Sequence, residues 1–331
     1  MRSTLFMAGL IGAGLVTLVL APASARDIWV DNLSGADKNI GQEPSNLANT
    51  SGPVRTIAKA VRLAEPGDRI VLVKTGKPFC ECVTLSGSRR SGNAMFPLIF
   101  DGSGGTLDGS QAIPPEHWQQ YRGEIFRFRP LDMDYPMLFL DGQSLRPKPV
   151  KTGVAAPPEL KPLEWCAIGG AVYFAVEKGK LPADYKLSRA ALPAGISLYH
   201  VDHVQIQNVI IRGYRLDGVA TLEDARNVVL KNVACINNGR NGVNVAGVSL
   251  VELDRCALGG NATAQLLTSP YNEVYIYEST LSSDTAPGWV DYGARVYLGG
   301  RLVSGGKRSI LPEEAPRKPD KMKIDKPRID N

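Results

Sequence analysis

Four stretches of the chain repeat one pattern: residues 204–211 read VQIQNVII, residues 228–235 VVLKNVAC, residues 251–258 VELDRCAL and residues 274–281 VYIYESTL. Each stretch begins with valine and Val296 continues the series, so the starts are spaced by 24, 23, 23 and 22 residues. Apolar residues recur at every second position within these stretches, which is the period of a β-strand and not of an α-helix. The sequence therefore predicts a β-strand repeat of about 23 residues.

Alignment of the repeats places apolar residues in five columns. The columns are Val204, Val228, Val251, Val274 and Val296; Ile206, Leu230, Leu253, Ile276 and Leu298; Val209, Val233, Cys256 and Ser279; Ile211, Cys235, Leu258 and Leu281; and Val219, Val243, Leu266 and Trp289. Three short strands fit in each period, and a solenoid accounts for them because each coil covers the apolar face of the next. We predict that Asn208 and Asn232 stack at a sharp bend, with Arg255 and Glu278 at the same place in later coils.

A leucine-rich repeat is the main alternative, because its period of about 20–29 residues overlaps the observed one. That repeat requires Leu-x-x-Leu-x-Leu and a helical return. Leucine is sparse in this chain, and the returns at residues 212–217 and 237–241 are rich in glycine and asparagine. The pattern therefore favours a parallel β-helix.

The N-terminal part supplies the motifs of a family resemblance. They are Asp27-Ile28-Trp29-Val30, Thr56-Ile57-Ala58-Lys59-Ala60-Val61, Ala64-Glu65-Pro66-Gly67-Asp68, Ile70-Val71-Leu72-Val73 and Phe79-Cys80-Glu81-Cys82-Val83-Thr84-Leu85. Together with the repeats, these motifs resemble the right-handed parallel β-helices of the pectate-lyase-like superfamily, over residues 27–110 and 196–300. Ile57, Ala60 and Ala64 form one helical stripe, which predicts a helix that covers the open end of the solenoid.

Five segments are predicted along the chain. Residues 1–25 are a signal peptide, because Arg2 precedes an uncharged apolar run and Ala23-Ser24-Ala25 forms a small-x-small cleavage site. Residues 26–110 form the cap and first coils, residues 111–195 a β-rich insertion, residues 196–304 further coils, and residues 305–331 a disordered tail. We therefore expect a protein secreted to the periplasm, cell surface or medium after cleavage behind Ala25, with no membrane span remaining.

Composition narrows the classes of function. The chain has 331 residues, 38 basic and 33 acidic, with a formal net charge of +5. Such a mixed surface argues against a nucleic-acid-binding protein and allows a mild preference for acidic polysaccharide. Five cysteines leave at least one without an intramolecular disulfide partner, and Cys235 and Cys256 are predicted to be buried apolar residues.

The resemblance also implies where chemistry would occur. In that superfamily, the strand after the long loop forms the substrate groove, which here corresponds to residues 218–221, 242–245, 265–268 and 288–291. On that basis the candidate catalytic residues are Arg215, Asp217 and Arg240, and the candidate substrate-binding residues are Tyr214, Asn241, Asn244 and Gln265.

No metal or cofactor is predicted. A Ca²⁺ site requires several oxygen ligands, including carboxylates, and the groove strands offer no carboxylate cluster. Asp217 also lacks the second carboxylate of a glycoside hydrolase. His200 and His203 flank Asp202, but the two histidines fall on opposite faces of a strand.

A second strip of outward residues runs along the first-column strands. It contains Lys231, Glu252, Asp254, Tyr275 and Tyr277, whose aromatic rings suit stacking on sugars. The simpler interpretation is a row of cross-strand neighbours on a solvated sheet.

These observations predict an exported, carbohydrate-active β-helix protein whose partner is a polysaccharide or other glycan. One hypothesis is a metal-independent polysaccharide lyase acting on glycans that contain uronic acid. The alternative is a non-catalytic protein, which binds glycan or serves a structural role at the cell surface. Fold alone does not choose between them.

Overall fold

The structure is a computed structural model that describes residues 25–46, 50–151, 153–154 and 156–304. The predicted tail lies outside the described residues, as does the predicted signal peptide up to residue 24. Within the described ranges, no helix has the length and apolar character needed to cross a membrane.

Among its described residues, the N-terminal part holds one α-helix, α1 (Ile57–Leu63), and four strands. The strands are β1 (Asp27–Val30), β2 (Arg69–Leu72), β3 (Val83–Ser86) and β4 (Leu98–Asp108). The next eight strands are β5 (Ser110–Ala112), β6 (Gln119–Arg122), β7 (Ile125–Phe128), β8 (Leu138–Leu140), β9 (Gln143–Leu145), β10 (Trp165–Ile168), β11 (Ala171–Ala175) and β12 (Leu187–Ala190). Short 3₁₀ turns span Ser88–Arg90, Pro115–His117 and Pro182–Asp184.

The C-terminal part contains eleven further strands within the described residues. They are β13 (Ile196–Arg212), β14 (Val219–Ile236), β15 (Asn241–Val245), β16 (Leu250–Asp254), β17 (Ala257–Gly259), β18 (Ala264–Thr268), β19 (Glu273–Tyr277), β20 (Thr280–Leu281), β21 (Trp289–Asp291), β22 (Arg295–Leu298) and β23 (Arg301–Ser304).

The predicted parallel β-helix is confirmed by the strand pairing. One side of the solenoid follows the order β1-β2-β4-β13-β14-β16-β19-β22, all parallel, and β23 then pairs antiparallel with β22. The valines that begin the repeats are direct partners in this order, from Val204 through Val228, Val251 and Val274 to Val296. All five are fully buried, so the predicted columns form the core of the solenoid.

The bend between the second and third columns also follows the prediction. Asn208, Asn232, Arg255 and Glu278 all adopt positive φ angles between 43° and 54°. The Asn232 amide donates to Oδ1 of Asn208 at 2.9 Å, so the two asparagines stack as predicted. Arg255 instead pairs with the adjacent Asp254 at 3.1 Å. Asparagine tolerates this left-handed conformation better than most residues, which explains its use at the bend.

Helix α1 begins at a double cap. The Thr56 hydroxyl accepts a hydrogen bond from the backbone N–H of Lys59 at 3.1 Å. The Glu81 carboxylate accepts from the backbone N–H groups of Ile57 at 2.9 Å and Ala58 at 3.1 Å. Ile57 and Ala60 are fully buried in the same core cluster as the coils, so the predicted capping helix is confirmed.

Glu81→Ala is expected to destabilise the protein by about 2 kcal/mol, because two N–H groups at the start of α1 lose a charged acceptor. Glu81→Gln keeps one acceptor, so its free energy of unfolding should lie between those of Glu81→Ala and the original chain. Urea unfolding measures both effects. Equal stability of all three proteins would show that the helix does not depend on this contact.

The insertion forms two antiparallel sheets, with strand orders β10-β11-β7-β6 and β5-β12-β8-β9. The two dipeptides Asp141-Gly142 and Gly169-Gly170 connect the hairpins β8–β9 and β10–β11, with φ between 49° and 76° at all four residues. Such paired positive φ angles fit tight hairpin turns. Trp118 and Trp165 are buried in the insertion's own hydrophobic cluster.

The two ends of the insertion meet at one atom of the solenoid. The carbonyl oxygen of Gly109 accepts hydrogen bonds from the backbone N–H groups of Ala191 at 3.1 Å and Leu192 at 2.9 Å. The chain therefore leaves the coil and returns to it at the same place.

Candidate functional site

The groove face is the outward side of residues 218–221, 242–245, 265–268 and 288–291. These segments stack in parallel register, with Ala220 opposite Asn244 and Asn244 opposite Leu267. Their inward neighbours Val219 and Val243 are buried in the core. The strand period therefore sends Asn244 outward, as predicted.

Asp217 lies at the edge of the groove face with only 1% of its surface exposed. Its carboxylate accepts hydrogen bonds from the Arg240 Nε at 3.0 Å and from Arg240 Nη2. The Nδ2 groups of Asn241 and Asn244 donate to the two carboxylate oxygens at 2.9 and 3.1 Å. Four of the seven predicted site residues therefore come together in one enclosed network.

A segment of the insertion reaches this network. Asp134 pairs with Arg215 at 2.8 Å, and the Tyr135 ring centroid lies 5.8 Å from the Cζ atom of Arg240. A Cβ atom on Gly239 would lie only 2.4 Å from the Tyr135 carbonyl oxygen, so glycine at this position lets the segment approach. The insertion thus contributes side chains to the edge of the groove face.

Tyr214 and Gln265 do not face a substrate. The Tyr214 ring is fully buried in the core of the solenoid, and its hydroxyl donates to the Glu81 carbonyl oxygen at 2.6 Å. Gln265 is also fully buried, and its Oε1 accepts from the Asn261 amide at 2.7 Å. Neither side chain offers surface to a ligand in this structure, so nothing here supports their predicted role in substrate binding.

The charges of the site suit ion pairing better than proton abstraction. The hydrogen bond to Asp217 raises the pKa of the Arg240 guanidinium, so Arg240 is a permanent cation. A general base requires a pKa near the working pH. Asp217 is enclosed and already accepts four hydrogen bonds. Arg240, with 28% of its side chain exposed, can pair with an anion but cannot take up a proton.

Several polar atoms around Asp217 are buried without a hydrogen-bond partner. They are Nε of Arg215 and the Oδ1 atoms of Asn241 and Asn244; in the described residues only Oδ2 of Asp291 shares this state. A buried polar atom without a partner costs about 1–3 kcal/mol. Three of the four such atoms in the described residues belong to Arg215, Asn241 and Asn244, so protein groups leave part of the hydrogen-bonding capacity of these side chains unused.

Asp134 and Tyr135 were not predicted from the sequence. They lie in the aperiodic insertion, where no repeat fixes which residues face the solenoid. A weak signal existed in the side chain types, because an adjacent carboxylate and phenol suit contacts with arginines. Tyr135 also adopts a φ of 49°, a conformation that is rare for an aromatic residue and that only the structure reveals.

The histidines and cysteines assemble no metal centre in the described part of the chain. No group of three or more His, Cys, Asp or Glu side chains there is placed to hold a metal ion. His203 Nδ1 lies 2.7 Å from Asp202, and His200 Nε2 lies 3.7 Å from Glu223. These contacts belong to the turns of the solenoid.

The sequence matches no protein-family model and no curated protein. A solved structure described as the complex structure of XylC with xylose is similar to this chain, with 12% sequence identity and a TM-score of 0.41. The similarity covers 84% of this chain and 73% of that one. At this level we base no conclusion about function on it.

Proposed function

We propose that the chain is an exported protein of the pectate-lyase-like β-helix type that binds acidic glycans through Arg215 and Arg240 without cleaving them. The observation that carries this proposal is the enclosed Asp217, which holds Arg240 as a fixed cation at the edge of the groove face. Asp217 holds the Nε–Nη2 edge of Arg240, and the remaining N–H groups of the guanidinium can donate charge-assisted hydrogen bonds to the carboxylate of a uronic acid. Export is supported by the predicted signal peptide.

The surroundings of the two arginines support binding of a sugar. Tyr135 is 41% exposed beside Arg240, and an exposed phenol ring offers a surface on which a pyranose can stack. Asp134, with 72% of its side chain exposed, pairs with Arg215 through an ion pair that a uronate carboxylate can replace.

Arg240→Gln is expected to weaken binding of oligogalacturonate or oligoalginate at least tenfold, because the variant loses the fixed charge that faces the ligand carboxylate. Isothermal titration calorimetry at low and moderate salt measures the effect, and the original chain should lose affinity as salt increases. Arg226→Gln is the matched control, since Arg226 is 62% exposed and pairs with Asp224 away from the groove face. Equal affinities of both variants would contradict the proposal.

A metal-independent uronate lyase is the second candidate. The observation that favours it is the position of Tyr135 beside Arg240. Arg240 would neutralise the uronate carboxylate, the Tyr135 phenolate would take the proton from the adjacent carbon, and the resulting phenol would return a proton to the leaving glycosidic oxygen. Elimination would break the glycosidic C–O bond and leave a C=C double bond that absorbs ultraviolet light. A rise in absorbance that is lost in Tyr135→Phe would establish the lyase. A flat trace at concentrations where the ligand binds would leave binding alone.

A further inference from the structure

A second cleft lies on a different face of the solenoid. The outward column on the first-column strands reads Gln205, Val229, Glu252, Tyr275 and Tyr297, and register pairs each residue with the next. The side chains of Gln205 and Glu252 on either side of Val229 are longer, so the surface of the sheet has a depression at Val229. The depression is the floor of an open cleft of about 390 Å³. We call it the tyrosine cleft, lined by Asn93, His203, Val229, Glu252, Tyr275 and Tyr277.

Tyr275 forms a rigid wall of the tyrosine cleft. Its ring stacks on Tyr297 with a centroid distance of 4.6 Å and an interplanar angle of 8°. Its hydroxyl donates to the Glu273 carboxylate, which also pairs with Arg295. The hydrogen bond to Glu273 is the main cause that raises the pKa of Tyr275 to about 12, so the phenol stays neutral. Tyr297 occupies one face of the ring, and the other face is directed to the coil that carries Glu252.

The opposite rim is held by a carboxylate at a bend within β13, just before Val204. Asp202 lies 2.7 Å from Nδ1 of His203 and accepts a hydrogen bond from the Asn227 amide at 2.8 Å. His203 and Asn227 both adopt positive φ angles, of 52° and 50°, so the two turns stack in the same conformation. The rim is therefore preorganised, with an imidazole and an amide at the edge of the cleft.

We propose that the tyrosine cleft binds a neutral sugar, with one pyranose ring stacked on Tyr275. A fixed aromatic face opposite hydrogen-bonding side chains suits a ligand with an apolar ring face and hydroxyls at its edge. Glu252 in the lining places a carboxylate in the cleft, which disfavours a uronate by charge repulsion. The tyrosine cleft and the groove face thus select ligands of different charge. The proposal for the tyrosine cleft does not depend on whether the groove face binds uronates.

Tyr275→Ala is expected to weaken binding at least tenfold, measured by titration with cellohexaose, xylohexaose and mannohexaose. Tyr292→Ala is the matched control, because Tyr292 is an exposed tyrosine that does not line the cleft, and its affinity should stay within about threefold. Val229→Trp should abolish binding by filling the floor. This outward position tolerates a large side chain, so the variant serves as the test if Tyr275→Ala does not fold.

Arg240→Gln separates the two sites, since it should leave neutral-sugar binding unchanged while uronate binding falls. The proposal for the cleft is overturned if none of the three oligosaccharides binds the original chain at millimolar concentration. It is also overturned if binding persists unchanged in Val229→Trp, which would place the sugar elsewhere on the protein.

Discussion

Replacing Asp217 with asparagine is expected to lower the free energy of unfolding by about 3 kcal/mol and to weaken uronate binding at least tenfold. The carboxylate is 1% exposed and accepts from Arg240, Asn241 and Asn244. Asparagine at this position replaces one carboxylate oxygen by an NH₂ group, which is a donor and would face the donor groups of Arg240, Asn241 and Asn244. Removing one partner of a buried ion pair costs about 3–5 kcal/mol, and the partial exposure of Arg240 places the effect near the lower end.

Denaturant unfolding and uronate titration check this prediction together. Asp224→Asn is the control, because Asp224 pairs with Arg226 at an exposed turn, where such pairs contribute less than about 1 kcal/mol. At denaturant concentrations where Asp217→Asn is still folded, its affinity for uronate should match that of Arg240→Gln, since both variants lose the same oriented guanidinium. A folded Asp217→Asn with normal affinity would mean that Asp217 does not position Arg240.

Tyr214→Ala is expected to destabilise the protein by about 3–5 kcal/mol, as large-to-small substitutions of buried aromatics do. The ring is fully buried, and a Cβ atom on Gly109 would lie 2.5 Å from its Cδ1 atom, which shows how closely the coil packs around it. Its hydroxyl also links two coils through the Glu81 carbonyl oxygen.

Tyr214→Phe keeps the ring and loses only that hydrogen bond, so about 1 kcal/mol is expected. Thermal or denaturant unfolding compares the two variants. Tyr214→Phe should bind uronates and neutral sugars as the original chain does, because the ring does not reach either site. Loss of sugar binding in a folded Tyr214→Phe would instead support the predicted role of Tyr214 in substrate binding.

The coils could be predicted from the sequence because their core is encoded locally. Each strand alternates inward and outward residues, and each coil repeats the pattern of the previous coil. The spacing of Val228 and Val251 is therefore enough to predict that they pair. The same alternation placed Asn244 outward correctly. The alternation also directs Gln265 outward, yet Asn261 from the neighbouring loop covers it. Alternation along a strand predicts the direction of a side chain but not its exposure to solvent.

The loops and the insertion could not be predicted to the same depth. Tyr214 follows a glycine in an aperiodic turn, where no pattern indicates that its side chain points back into the core. Tyr135 and Asp134 reach the groove face only through the packing of the insertion on the solenoid. Contacts between a repeating and a non-repeating part depend on tertiary structure, and a single sequence carries no register for them.

The shared anchor at Gly109 has a consequence for how this protein can be re-engineered. Its carbonyl oxygen accepts hydrogen bonds from both Ala191 and Leu192, so the insertion leaves the coil and rejoins it at one point, and this junction does not fix the length of the insertion. The entropy of closing such an insertion grows only with the logarithm of its length. A short linker at this junction is therefore expected to leave the coils intact, while it removes the contacts that Asp134 and Tyr135 make with Arg215 and Arg240.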